Sequence, residues 1–575
     1  MRDGDRKGNK PNILFIMVDE WRYPVEYESE ELKEWKRKNL KFREVIESKG
    51  TVFHRHYTNT TACSPSRTTM QTGQYPNVHG VTQTDGIAKN ADDPEMVWLE
   101  PWTVPTMGNY FREYGYKTVI KGKWHISDSS ITLRDGSKLT TFDSRGNTIE
   151  KYKDFYLEKN VLGDYGYDGW IGPEPHGSAS LNSASSLPKN VLGRDIKFTE
   201  QLIQELEDLS ETEDPWFLLA TYLDPHDITV YGWDAITSDD KWRFEVDPTL
   251  PETLFTREFN ESLNEYLATK PPAQESYRNL YSTAIQPIMD IDRYQRYYYT
   301  LQRRVDEKIM RLWNKLISLP CYENTLVIFT SDHGDQLGSH GRMFQKWYQA
   351  YEESIHIPLV VSSPLLGNEH RDVNSLTCHI DILPTLLDMA GANSNKLRLM
   401  LGKSPKRGRR SRQPFSLNLP LSGVSIKDLV TGESERVRDS IYFYTEDDPI
   451  SGEHQRNIQC RYYTSVSQPS SVEAVLLLHK NRLWKLTHYY AASNPCSNVK
   501  GISHELYNVT DDPMELTNLF GRPKYAKIQG HLMKLLDSYK IKYRSVDPDD
   551  FSQRRSCVTT SQRIPGSGDV SECGC

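Results

Sequence analysis

The chain has 575 residues, and its 70 Lys and Arg against 78 Asp and Glu leave a formal net charge of −8. At roughly 100–200 residues per domain this length predicts one large domain with a smaller companion. The composition, 37% hydrophobic and 26% charged with 12 Trp and 33 Tyr, is that of an ordinary globular protein. Mild acidity excludes a general nucleic-acid binder, which needs a basic surface. No window approaches about 20 uninterrupted apolar residues, so no membrane span is expected.

Met1–Lys10 is charged, and Pro11 leads into the apolar run Ile13–Val18, which stops at Asp19-Glu20-Trp21-Arg22. A secretory signal needs a longer apolar stretch and small residues at a cleavage site. The run is therefore read as a core strand of a protein made without export. Eight cysteines (63, 321, 378, 460, 496, 557, 573 and 575) are scattered, without paired metal-ligand spacing apart from Cys573-Gly574-Cys575. That argues against a disulfide scaffold and for a reducing cytoplasm.

Further apolar runs end as abruptly. Thr118-Val119-Ile120 leads into Lys121-Gly122-Lys123-Trp124-His125, and Trp216-Phe217-Leu218-Leu219-Ala220 runs towards Asp224-Pro225-His226. Leu326-Val327-Ile328-Phe329 ends at Thr330-Ser331-Asp332-His333-Gly334, and Ile357-Pro358-Leu359-Val360-Val361 ends at Ser362-Ser363-Pro364. Such continuous runs suit parallel strands covered on both faces. Leu301, Val305, Ile309, Leu312 and Leu316 form an amphipathic helical stripe that Pro320 ends. Alternating strand and helix predicts a doubly wound α/β sheet, with ligands at the carboxyl ends of its strands, where the unusual polar residues fall.

From about Arg436 shorter pieces follow: Ser440-Ile441-Tyr442-Phe443, Ala474-Val475-Leu476-Leu477-Leu478 and Asn481-Arg482-Leu483-Trp484-Lys485-Leu486. They read as antiparallel strands of a smaller domain. The expected division is a catalytic domain over 1–435, a smaller α+β domain over 436–545 and a polar tail over 546–575. A basic stretch from Lys403 to Arg412 precedes the smaller domain and reads as a solvated loop. The loops Asp128–Lys189 and Val230–Pro272 carry Tyr152, Tyr156, Tyr165, Tyr167, Trp170, Tyr231, Trp233 and Trp242, read as packing rather than as a ligand pocket.

Cys63-Ser64-Pro65-Ser66-Arg67 precedes Thr68-Thr69-Met70-Gln71-Thr72-Gly73. Pro65 suits the first turn of a helix and Gly73 its end. Cys63 then sits at a helix N-terminus, where free N–H groups favour an anion, and Arg67, one turn on, points back to it. The sequon Asn59-Thr60-Thr61 lies four residues earlier, where a glycan would obstruct this position.

Cys63-Ser64-Pro65-Ser66-Arg67 resembles the signature of the type I sulfatases, in which a maturation enzyme oxidises the Cys to formylglycine. Gly115-Tyr116-Lys117-Thr118 with Gly122-Lys123-Trp124-His125 resembles the second signature. Pro225-His226, Ser331-Asp332-His333-Gly334, Lys346 ahead of Tyr351-Glu352-Glu353-Ser354, His379–Thr385, Glu505-Leu506-Tyr507-Asn508 and Asp512-Pro513 continue in family order. The resemblance implies an alkaline-phosphatase-like α/β sandwich that hydrolyses sulfate esters.

It also implies roles. The hydrate of formylglycine at 63 supplies the nucleophile. Asp19, Glu20, Cys63, Asp332 and His333 hold a divalent metal. Lys123 and Lys346 bind sulfate oxygens, Arg67 and His125 orient the hydrate, and His226 is the acid for the leaving group. Two departures stand out. Glu20 replaces the usual second Asp, its extra methylene moving the carboxylate, and His333 stands where many relatives have Asn. Oxygen-rich ligation favours Ca²⁺, and one imidazole leaves Mn²⁺ as the alternative.

His340 and His356, near these motifs in sequence, are read as structural. The partners expected are a sulfate ester substrate and the formylglycine-generating enzyme, with no nucleic acid and no membrane. Oligomeric state stays open, a homo-oligomer included. The runner-up is a phosphonate monoester or phosphodiester hydrolase on the same scaffold. A binding protein with unmodified Cys63 is disfavoured because every candidate position holds a competent side chain. A zinc alkaline phosphatase is disfavoured because only one metal set can be assigned.

Overall fold

The computed structural model describes residues 10–175, 180–232, 235, 241–403, 415, 419–457, 460–491 and 502–544. The tail over 546–575, the basic run from Lys406 to Arg412, Trp233, Cys496, Cys557, Cys573 and Cys575 lie outside the described residues. Cys63, Cys321 and Cys378 are free thiols. No helix among the described residues is long and apolar enough to cross a membrane.

The larger sheet is built from β1 (Asn12–Asp19), β2 (Gly50–Phe53), β4 (Lys117–Gly122), β5 (Trp216–Pro225), β6 (Thr325–Ser331), β7 (Leu359–Ser362) and β8 (Arg371–Val373). β3 (His56–Tyr57) pairs separately with β9 (Thr377–Cys378). Strand order is β4-β5-β1-β6-β7-β2-β8. β4, β5, β1 and β6 are mutually parallel, as their unbroken apolar runs predict. Every residue of β1 is buried because side chains alternate between two covered faces. Leu14, Ile16 and Val18 share a core with Leu202, Leu206 and Leu301, from helices Arg194–Ser210 and Ile291–Ile317. Ile13, Phe15 and Met17 pack with Met70, Met107 and Leu383 on the other side.

β7 departs from expectation. It runs antiparallel to both β6 and β2. A parallel return needs a long crossover, usually a helix. The segment between β6 and β7 holds only the short helical turns Ser339–Arg342 and Glu352–Ile355, so the chain comes back beside the strand it left. The helical stripe also extends further than read, over Ile291–Ile317. The aromatic loops are packing: Tyr156, Tyr165, Tyr167, Trp170 and Tyr231 are buried.

The smaller sheet is wholly antiparallel: β10 (Ser440–Thr445), β11 (Ser471–His479), β12 (Arg482–Tyr490) and β13 (His504–Asn508) in sequence order. Leu532 and Leu536 of the helix Ala526–Arg544 join its core, and Tyr539 stacks on Tyr442. Buried ions tie this sheet to the larger body. Lys485 on β12 lies 3.0 Å from Glu352 and 2.8 Å from Glu515, and Lys270 donates to the Tyr507 hydroxyl on β13 at 2.6 Å.

The same network reaches His340, whose Nδ1 is 2.9 Å from Glu265 and whose Nε2 is 3.5 Å from Glu353. Burial alone would lower this imidazole, but the Glu353 charge and the bond to Glu265 push it up to about 9. The stability its proton confers is therefore fully present below the ordinary value of about 6.5 and is lost as pH rises through about 9. His340→Gln is expected to lower the melting temperature strongly at pH 6 and much less at pH 9.5. Melts of both proteins at the two pH values check this, and an equal gap at both would contradict it.

Candidate active site

Four parallel strands end on one side of the sheet. β1 ends at Asp19, β4 at Gly122 before Lys123, β5 at Pro225 before His226, and β6 at Ser331 before Asp332. This is the edge at which open α/β sheets bind ligands. Gly122 makes the β4 turn feasible. Its φ is +108°, and a Cβ there would lie 1.7 Å from the Thr221 carbonyl oxygen of β5.

Helix Cys63–Thr72 begins at Cys63 and closes on Gly73 in the left-handed region. Its first turn brings Cys63 Sγ to 3.2 Å from His333 Nε2 and 3.8 Å from Asp19 Oδ1. Arg67, fully buried, donates from Nε to Asp332 Oδ2 at 2.8 Å, from Nη2 to Asp19 Oδ2 at 2.8 Å, and from Nη1 to the Lys123 carbonyl at 3.1 Å. Lys123 Nζ lies 2.7 Å from Asp19 Oδ2. Burial works against the Asp19 carboxylate, yet Lys123 and Arg67 hold it well below the usual range.

His333 Nδ1–H donates to the Gly334 carbonyl at 3.0 Å, so Nε2 presents a lone pair to Cys63, Asp332 and Asp19. Burial, reinforced by Lys346, lowers this imidazole to about 4. One donor atom from each of Asp19, Cys63, Asp332 and His333 lies within 4.8 Å of the others, and Asp19, Glu20 and His226 form a second such group.

Glu20 has φ 68°, and its N–H donates to Asp332 Oδ1 at 3.0 Å. Both its carboxylate oxygens are buried and accept no hydrogen bond from the described residues, with Lys346 Nζ 3.3 Å away. Burial, with Asp335 and Asp19 adding, outweighs Lys346 and pushes this carboxyl well up. An orphaned buried carboxylate beside Asp19 and Asp332 is a donor set that fits a hard divalent cation. Lys346 is itself buried. Burial would lower it, but Glu20, Cys63 and Asp19 raise it, so it stays an ammonium.

His226, half-buried, opens the turn after β5. Its neighbour Asp227 anchors that turn by accepting the N–H groups of Ala184, Ser185 and Ser186 at 2.8–3.0 Å and the hydroxyls of Ser183 and Ser186. His125 has φ 56°, and its Nε2 is 2.6 Å from Asp85 Oδ1. Glu174 accepts the N–H groups of Trp124 and His125, both at 3.0 Å, and burial pushes its carboxyl up to about 7.

The residues singled out in the sequence thus converge. Asp19, Cys63, Arg67, Lys123, Asp332 and His333 touch one another, Glu20 and Lys346 pair alongside, and His226 faces Asp19 and Glu20. His340 and His356 are structural. The first is bound by Glu265 and Glu353, and the second stacks between Tyr23 and Tyr57. Asn59 is buried and donates to the Tyr442 carbonyl, so it offers no glycan site. Sequence reasoning missed Asp85, Glu174, Asp227 and Asp335. Asp335 alone had a signal, standing next to Asp332-His333-Gly334.

The sulfatase family model matches residues 11–392. The Delta 4,5-hexuronate-2-O-sulfatase of Bacteroides thetaiotaomicron is 24% identical over 540 residues, 91% of this chain and 90% of its own. A solved 2-O GAG sulfatase shares the fold with a TM-score of 0.59 at 20% identity, over 95% of this chain and 94% of that one. The phosphonate monoester hydrolase of Agrobacterium radiobacter shares it at 0.55 and 19% identity, over 93% and 96%. The family match takes in Asp19, Cys63, Arg67, Lys123, His125, His226, Asp332, His333 and Lys346, and on that span the chain belongs to the sulfatases, hydrolases of sulfuric esters.

Proposed function

We propose that this sulfatase works through formylglycine made from Cys63 and a divalent cation, Ca²⁺ before Mn²⁺, held by Asp19, Glu20, Asp332, His333 and residue 63. The observation that carries the reading is the packing of Cys63 Sγ within 4.8 Å of donor atoms from Asp19, Asp332 and His333. The sulfur stands where the oxygens of a formylglycine hydrate would lie. That hydrate supplies two hydroxyls, one to attack sulfur and one to shed its proton and expel sulfate. The cation supplies Lewis acidity towards a sulfate oxygen and the nucleophile. A formylglycine-generating enzyme is the partner this chemistry requires.

The chain's own residues do the rest. Lys123 and Lys346 hold sulfate oxygens and offset their charge. Arg67 fixes both metal carboxylates, and His125 orients the hydrate. His226, half-buried and within 4.8 Å of Asp19 and Glu20, is placed to give a proton to the departing oxygen. Charge supports an anionic substrate. Asp19, Glu20, Asp332 and Asp335 face Arg67, Lys123 and Lys346, so a divalent cation and a protonated His226 leave the buried set net positive for the ester to offset. A phosphonate monoester is also an anion, and the phosphonate monoester hydrolase neighbour keeps that second reading. Rates on matched aryl sulfate and aryl phosphonate esters decide between them, with the sulfate expected to be faster.

Cys63→Ala is expected to fold and to lose more than about a thousandfold in aryl sulfate turnover, given what nucleophilic catalysis supplies. The mass of the peptide containing residue 63 in the parent should show the aldehyde. Asp332→Ala should lose bound metal and activity together, and elemental analysis finding full occupancy would remove Asp332 from the ligand set. His226→Ala should slow alkyl or sugar sulfates by about 10²–10⁴-fold and 4-nitrophenyl sulfate far less, because a nitrophenolate needs little acid assistance. Equal losses across the leaving-group series would pass the acid role elsewhere.

A further inference from the structure

The chain leaves β10 into Glu446-Asp447-Asp448, and Asp447 returns to the larger body, where it is 4% exposed. Its Oδ1 accepts the Thr84 N–H at 3.0 Å. Its Oδ2 accepts the Ala62 N–H at 3.3 Å and the Trp347 Nε1–H at 3.0 Å. Each donor borders a group placed in the chemistry above. Ala62 precedes Cys63, Trp347 follows Lys346, and Thr84 precedes Asp85, which sits 2.6 Å from His125 Nε2.

The neighbours reinforce the contact. Thr445 Oγ1 donates to the Thr61 carbonyl, and Tyr348 donates to Asp448 Oδ1 at 2.6 Å. Burial raises the Asp447 carboxyl, and the nearby Lys89 works against that rise, favouring its charged form. Three segments far apart in sequence therefore meet on one carboxylate from the edge of the smaller sheet.

We propose that Asp447 is a positioning residue for sulfate ester hydrolysis, setting residue 63, Lys346 and the Asp85–His125 pair in mutual register. The inference rests on the reading of Cys63, Lys346 and His125 given above. Hydrogen bonds to an ionised acceptor are stronger than those to a neutral one, and a displacement of about 1 Å at reacting groups costs on the order of 10²-fold in rate. None of the three donors is itself a reacting group, so Asp447 acts through geometry.

The test compares the full-length parent with Asp447→Asn and Asp447→Ala. Formylglycine content, metal content and melting temperature are measured beside kcat on 4-nitrophenyl sulfate. The expected result is kcat per aldehyde-bearing molecule about tenfold down in Asn, which keeps one acceptor oxygen, and about a hundredfold down in Ala. A purely structural role would lower the melting temperature and the folded fraction and leave kcat per aldehyde-bearing molecule within threefold of the parent, and that result overturns the proposal. Should Asp447→Ala not fold, Trp347→Phe deletes one donor and keeps an aromatic, though smaller, ring. A severalfold fall in kcat supports the proposal and an unchanged kcat overturns it. Failure of the underlying reading is seen separately, as a parent without the aldehyde or a Cys63→Ala protein that still turns over.

Discussion

Asp19 and Asp332 leave the ends of adjacent parallel strands, β1 and β6, whose last paired residues are Val18 and Ser331. Side by side and fully buried, two such carboxylates repel each other and lose their hydration. Arg67 resolves this with one planar fork, giving Nε to one carboxylate and Nη2 to the other. A lysine, with its single point of charge, could not span both with fixed geometry. Arg67 in turn sits one helical turn after residue 63, so the pairing that makes the acids tolerable also sets the reacting residue against them. Deleting it would take the cation from the buried Asp332 and leave Asp19 with Lys123 alone, and breaking a buried pair typically costs about 3–5 kcal/mol.

The sheet edge supplies rigidity to only part of the site. Asp19, Lys123, His226 and Asp332 ride on parallel strands whose register fixes them. Lys346 rides on the long excursion between β6 and the antiparallel β7, which has no strand of its own. Its support comes from elsewhere: Lys485 bound to Glu352, His340 to Glu353, and Asp447 to Trp347. The smaller sheet thus acts as a wall against which the part of the site carried by no strand is braced. This explains why buried ions, which stabilise poorly in themselves, are concentrated at that junction.

The sequence made the central strands and the polar residues that converge at their ends legible for one physical reason. Unbroken apolar runs mark strands covered on both faces, and polar residues at their carboxyl ends mark the binding edge. The Cys63–Arg67 spacing likewise states a helical turn. What stayed illegible was pairing direction and support. β7 reads as one more apolar run, and nothing local says that no crossover precedes it. Asp85, Glu174, Asp227 and Asp447 lie outside the strands, and each acts on groups distant in sequence, Asp85 on the His125 ring and the others on backbone N–H groups, a relation that no periodicity records.

Some of the strained backbone positions lie at the site. Glu20, His125, Gln345 and Tyr348 all adopt positive φ, at 68°, 56°, 65° and 60°, without being glycine. Each such residue costs on the order of 1–3 kcal/mol unless its surroundings fix it. Every one is next to or part of the site, and each has an anchor. The Glu20 N–H is held by Asp332, that of His125 by Glu174, that of Gln345 by Asp335, and the Tyr348 hydroxyl by Asp448. Three acids, then, serve as backbone clamps and Asp448 holds a side chain, in a place already crowded with negative charge. A fold selected for stability alone would replace them with apolar packing. Their presence makes sense where the buried Arg67, Lys123 and Lys346 must be met by fixed negative charge, so the charge balance of the site also decides which residues can hold the strained turns.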